Sequence, residues 1–273
     1  MPSLKKQQID YSIITESAGL KATQEQMARL YQRYCFAKIA GENKDILEVG
    51  CGSGMGLGYL AHGAKSVMGI DVDEKNVKAA KKYYYGQKAG KGRSPEIEVM
   101  DAHKLSFPEG SFDLVLLFET IYYLREPERV VDEACRVLRD RGNIIICTVN
   151  KDWKDFHPSP YTHKYFSVPE LERLLRPHFT DIRFYGGFRV EKGGFKSRLV
   201  SFIKHAALKL NLIPGDLGAR AYLKRIFIGK LYPLPEGVKD GMASYEEPIE
   251  ISNDMKNGEF KIIYAVAKRG RAR

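Results

Sequence analysis

The chain has 273 residues, 44% of them apolar, and a formal net charge of +10. That length is ample for one large globular domain with an inserted cap, and no run of about 18 apolar residues is present to span a membrane. The N-terminus lacks the apolar core of a secretory signal, and the four cysteines, Cys35, Cys51, Cys135 and Cys147, form no C-x-x-C pair, so reduced thiols in a cytoplasmic protein are expected.

In chain order, residues 1–41 read as an N-terminal lead-in. Apolar residues at Met27, Leu30, Tyr31, Tyr34, Cys35 and Ile39 recur at helical spacing, and Thr23 suits the N-cap. Asp45 to Val49 predicts a strand, followed by a turn with glycines at 50, 52 and 54 and a short helix to Ala61. Ser66 to Ile70 predicts a second strand that ends in Asp71, and Asp73 to Tyr83 a crossover helix. Gly86 to Ser94 reads as a loop. Further strands are expected at Glu96–Met100 and Ser111–Phe118, then a helix from Glu128 to Leu138 behind Pro127. Asp140-Arg-Gly142 predicts a turn into a strand at Asn143–Val149. Residues 150–166 hold two prolines and seven ring-bearing side chains, which predicts a loop. A helix after Ser167 and strands at Phe179–Phe188 and Glu259–Lys268 complete the pattern.

Strand, glycine turn, helix, strand, acid is the layout of a nucleoside-binding βαβ unit. The dinucleotide fingerprint G-x-G-x-x-G/A fails from Gly50, Gly52 and Gly54, which meet Met55, Leu57 and Tyr59 at its third position. The match at Gly56, Gly58 and Ala61 lies too far beyond the strand. What stands at the strand end is Glu48-x-Gly50-x-Gly52-x-Gly54. This resembles the first motif of the class I S-adenosylmethionine (SAM)-dependent methyltransferases, within them the UbiE-like small-molecule group. The likeness is close over residues 45–150 and looser beyond.

The resemblance implies an α/β fold: a Rossmann-like, seven-stranded, mostly parallel sheet with helices on both faces. It also implies SAM as cofactor, held by Glu48, Gly50, Cys51, Gly52, Gly54, Asp71, Val72, Asp101, Ala102 and Phe118. Asp71 would hold the ribose and Asp101 the adenine amino group. The expected boundaries are 42–187 with 259–268 for the SAM-binding domain, and 188–258 for a helical substrate cap inserted between the last two strands. N-terminal helices of the family close over the methionine end of the cofactor; covering a sheet face is the alternative for Gln24–Ala40.

Methyl transfer from a sulfonium needs an aligned acceptor and exclusion of water, and an oxygen acceptor of high pKa needs a base. Glu119, His157 and His163 are the expected catalytic residues, with Tyr122, Tyr123 and Asp152 nearby; no metal is expected. The bland reading of each histidine is a surface or packing residue. Motifs for DNA amino, cytosine-C5 and protein arginine methylation are absent. An oxygen atom of a small molecule or of a glycan or lipid-linked acceptor is the expected target. Phe188 to Tyr232 holds ten basic residues against Glu191 and Asp216. That charge suits an anionic acceptor or peripheral contact with the inner face of a membrane. It leaves an RNA-directed methyltransferase as the alternative, beside a non-catalytic SAM-binding subunit. The apolar stripe from Phe195 to Leu210 fits a cap or membrane-surface helix better than a nucleic-acid groove. The sequence does not fix the oligomeric state.

Overall fold

A computed structural model describes residues 15–86, 94–159, 161–190, 230–253 and 257–270. The elements are β1 (Lys21–Thr23), α1 (Gln24–Ala40), β2 (Asp45–Val49), α2 (Leu57–Ala61), β3 (Ser66–Asp71), α3 (Glu74–Gly86) and β4 (Glu96–Val99). There follow β5 (Phe112–Phe118), a 3-10 turn at Ile121–Tyr123, α4 (Pro127–Val137), β6 (Leu138–Val149), α5 (Val168–Leu175) and β7 (Phe179–Arg189). Two short strands, β8 (Leu231–Pro233) and β9 (Ile249–Ile251), precede β10 (Phe260–Arg269).

The main sheet runs β4-β3-β2-β5-β6-β10-β7-β9. The first five of these strands are parallel, and β10 runs antiparallel to both β6 and β7. The chain therefore reverses direction across the sheet between β2 and β5. In open α/β sheets the crevice beyond the strand ends at that point is where ligands bind.

Central parallel strands are covered on both faces, so they read as unbroken apolar runs. The pleat still sorts their side chains by alternation. Leu47, Val49, Val115, Leu117, Ile144 and Ile146 pack with α4 and α5 through Val130, Ala134, Leu171 and Leu175. Ile46, Leu114, Leu116, Ile145 and Cys147 pack on the opposite face with α1, α2 and α3 through Leu30, Tyr34, Leu57, Val77 and Ala80. Two helix starts are fixed by reciprocal caps: Thr23 with Gln26 on α1, and Ser167 with Glu170 on α5.

The sheet departs from expectation at its edge. It has eight strands rather than seven, because β9 pairs with β7 through Phe184 and Ile251. A separate ribbon joins β1 to β8, with Ala22 opposite Tyr232. Both β8 and β9 come from the end of the insert. The cap or membrane-surface helix expected from Phe195 to Leu210 lies outside the described residues. The turn expected at Asp140-Arg-Gly142 is absorbed into β6 as an irregularity of register: Phe112 faces Leu138, and Leu114 faces Asn143. Arg141 there takes φ 63°.

Candidate active site

A cavity of about 1310 Å³ opens at the C-terminal ends of β2, β3 and β5. Single drug-sized ligands occupy pockets of about 300–1,000 Å³, so this volume suits a cofactor together with an acceptor. Its lining includes Glu48, Gly50, Cys51, Gly52, Asp71, Val72, Asp101, Ala102, Phe118 and Glu119. Gly54 is not in the lining; it packs behind the turn against Ala80 and Leu57.

The turn after β2 depends on backbone that other residues rarely adopt. Gly50 and Gly52 take φ of 72° and 56°. Asp71 braces the turn from β3: its Oδ2 accepts the Gly52 N–H at 2.9 Å. Its Oδ1 accepts the Asp73 N–H at 2.9 Å and the Asn76 side-chain amide at 3.3 Å. Burial raises the Asp71 pKa against these three donors. A carboxylate offers about four lone-pair sites, so capacity remains for a ligand hydroxyl. Val72 beside it is 55% exposed, an apolar surface at the cavity mouth that a planar ring would cover. Asp101 Oδ1 accepts the His103 backbone N–H at 2.9 Å and lies 2.7 Å from the His103 ring Nδ1.

Glu48 lies deeper. Its Oε1 accepts the Tyr34 hydroxyl at 2.6 Å, and its Oε2 is buried without a partner. Burial pushes its pKa up to about 7. An orphaned buried carboxylate oxygen is costly, and a cationic ligand group would relieve it. An acid for a diol, an uncovered apolar rim, a glycine turn and a buried acid for a cation fit S-adenosylmethionine in the order nucleoside to methionine.

At the end of β5 the chain places Glu119 in the left-handed region, φ 52°, which costs a non-glycine residue about 1–2 kcal/mol. Its backbone N–H bonds to Cys147 O at 2.8 Å. Its Oε2 accepts the Tyr122 hydroxyl at 2.7 Å, and Cys147 Sγ stands 3.9 Å from Oε1. Burial raises the Glu119 pKa, while the Arg33 charge and the Tyr122 hydrogen bond oppose the rise.

His157 and His163 are not brought to this cavity. Both are exposed, and neither is in its lining. The loop folds back outside Tyr122: the His163 N–H bonds to Tyr122 O at 2.8 Å, and the Tyr165 ring packs on Tyr122 at 4.9 Å. Asp152 is outside the lining as well, whereas Tyr122 and Tyr123 are within it. Sequence reasoning missed Glu16, Arg29 and Arg33, which also line the cavity. Arg29 and Arg33 sit four apart on α1, a spacing that puts both on one face. That signal was available beside the apolar stripe.

Among the described residues, no group of His, Cys, Asp and Glu suits a metal ion, and no helix is long and apolar enough to cross a membrane.

Comparison with known proteins agrees with this geometry. The family model described as "Methyltransferase domain" matches residues 47–146. A probable S-adenosylmethionine-dependent methyltransferase of Mycobacterium tuberculosis is 32% identical over 152 residues, covering 53% of this chain and 52% of the relative. The chain thus spans about half the length of that relative. A phosphatidylethanolamine N-methyltransferase of Cereibacter sphaeroides is 33% identical over 147 residues, covering 54% of this chain and 69% of the relative. Among solved structures, a SAM-dependent methyltransferase of Thermotoga maritima superimposes with a TM-score of 0.57 at 18% identity, covering 90% of this chain and 91% of its own. That likeness speaks for the fold, and the sequence relatives for the family. The chain belongs to the S-adenosylmethionine-dependent methyltransferases.

Proposed function

We propose that the chain methylates an oxygen atom of a small-molecule acceptor by in-line transfer, with Glu119 as the base. When bound, SAM supplies an electrophilic methyl group on a sulfonium. Asp71 holds the ribose hydroxyls, and the turn at Gly50–Gly52 lets backbone approach the ligand closely. Glu48 faces the cationic methionine end. Glu119 accepts the acceptor's hydroxyl proton at Oε1, while the Tyr122 hydroxyl holds Oε2 and fixes the rotamer. Tyr34, Phe118 and Tyr122 keep water from the reacting end.

The observation that supports this reading best is the Glu119 carboxylate. It stands at the tip of β5, in the same cavity as Glu48 and Asp71, with a raised pKa. A carboxylate whose pKa is raised by burial is a stronger base than a free one. Relatives include both N- and O-methyltransferases by name. An amine acceptor would need no comparable base if it arrived neutral. The basic segment that suggested a glycan, lipid or RNA acceptor falls mostly outside the described residues.

The test is transfer of labelled methyl from SAM into fractionated small molecules, with RNA as a parallel fraction. Label is expected in a small-molecule fraction as a methyl ether or ester, and lost in Glu119→Gln. Label on nitrogen, or only in RNA, overturns the acceptor assignment. Binding of S-adenosylhomocysteine without any transfer overturns the catalytic one.

A further inference from the structure

One wall of the cavity is built from arginine. Arg33 on α1 lines it and is only 6% exposed. A guanidinium so buried needs a carboxylate or phosphate to offset lost hydration. In the structure its ionic partner is Glu16. Glu16 is a different kind of residue: its side chain is 39% exposed, and it precedes β1 in a stretch without regular structure. Its backbone carbonyl is tethered by the Ser53 hydroxyl at 2.8 Å, on the glycine turn itself. The arginine is therefore fixed, and its carboxylate partner is the exchangeable one.

A second observation points the same way. Arg29 stands one helical turn from Arg33 on the same wall, with its guanidinium 5.9 Å from the centre of the Trp153 ring. Arg29 and Arg33 each hold one carboxylate, Glu25 and Glu16, and the Nε of each is a buried N–H donor without an acceptor. Two unanswered donors on one wall call for oxygen atoms. Planar guanidinium groups match carboxylate and phosphate in fork geometry.

We infer that the acceptor carries a carboxylate or phosphate group, which takes the place of the Glu16 carboxylate on Arg33 with Arg29 beside it. Glu16 then acts as a built-in stand-in for the acceptor's anion. It satisfies Arg33 in the empty protein and yields when the acceptor enters. The inference rests on the methyltransferase reading above, since it places the acceptor between this wall and Glu119.

The test uses the full chain loaded with S-adenosylhomocysteine and three ring probes: benzoate, phenyl phosphate and the neutral isostere benzamide. Titration calorimetry compares wild type with Glu16→Gln. Removing the internal competitor is expected to tighten benzoate or phenyl phosphate about tenfold, the scale of one charge-assisted bond. Benzamide should not change. Which anion gains tells carboxylate from phosphate. Adding Arg33→Gln to Glu16→Gln should abolish the gain. If that double variant does not fold, Glu16→Gln alone decides, because its side chain is part-exposed. No gain for either anion, or an equal gain for benzamide, overturns the inference while S-adenosylhomocysteine binding stands. Failure of wild type to bind S-adenosylhomocysteine overturns the methyltransferase reading instead.

Discussion

Tyr34 on α1 donates a 2.6 Å hydrogen bond to Glu48 Oε1, and nothing answers Glu48 Oε2. The bond ties the lead-in helix to the end of the first central strand. It leaves a carboxyl group that burial raises from 4.5 to about 7.

A pH-dependent stability follows. Below pH 4.5 Glu48 is protonated in both folded and unfolded chains and contributes no penalty. Between pH 4.5 and about 7 the unfolded chain ionises while the folded chain resists, so stability falls as pH rises. Above about pH 7 the penalty is complete, at about 3 kcal/mol. Glu48→Gln removes the titration and keeps an acceptor for Tyr34. Without ligand, its melting temperature should exceed that of wild type at pH 8, with the gap closing by pH 4.5. Asp45 and Glu170, both held down to about 2 by their partners, lose stabilisation only in acid and do so equally in both proteins. A gap independent of pH would show that Glu48 is not the titrating group.

Asp71 tests the cofactor half. Asp71→Asn keeps the bulk and an oxygen, but loses the charge that favours ribose hydroxyls. Affinity for S-adenosylhomocysteine should fall by about 1.5–3 kcal/mol, or roughly 10- to 150-fold. The 2.9 Å bond from the Gly52 N–H to Oδ2 shows why alanine is a poorer choice: it would also release the turn. Equal affinity measured calorimetrically in wild type and Asp71→Asn removes Asp71 from the site.

The cofactor half was legible because its parts are local. Glu48, the glycines and Asp71 lie within one βαβ unit, and strand pairing sets their positions: Glu48 sits opposite Gly69 in β3 and Leu116 in β5. Asp101 and Phe118 follow from the ends of the next strands. The acceptor half was not legible in the same way. His157 and His163 shared a loop with many aromatic residues, and only tertiary packing on Tyr122 turns that loop away from the cavity. Glu16 and Arg33 meet across seventeen positions, through a segment with no periodic signal. β9 was missed because three residues of an insert, Ile249–Ile251, form a strand only where β7 offers an open edge.

Glu119 carries the next expectation. If its Oε1 takes the acceptor proton, Glu119→Gln should lower turnover by about 10²–10⁴-fold with S-adenosylhomocysteine affinity intact. Wild-type turnover should rise with pH as the carboxyl ionises, because the ionised form is the base. The double variant His157→Ala/His163→Ala should keep turnover near wild type, since both side chains lie outside the cavity. A loss in the histidine variant comparable to that in Glu119→Gln would show that the loop closes onto the acceptor.

The last expectation concerns how closely α1 packs over the glycine turn. A Cβ at Gly56 would stand 1.9 Å from Cε1 and 2.0 Å from Cζ of the Tyr34 ring. Tyr34 is 4% exposed, packs edge-on against Phe118 at 5.4 Å, and is pinned by its bond to Glu48. Moving the ring aside means breaking that bond or pushing into the cavity that Tyr34 lines. Overpacking of this kind costs about 1–3 kcal/mol, so Gly56→Ala should melt several degrees lower than wild type. Displacing the ring should also pull the hydroxyl away from Glu48 and weaken S-adenosylhomocysteine binding. Gly63→Ala is the control: nothing lies within 4 Å of its would-be Cβ. That substitution should leave both melting temperature and affinity near wild type. If Gly56→Ala matches Gly63→Ala in both measurements, the Tyr34 ring does not pack on this turn, and the proposed route from α1 to Glu48 fails.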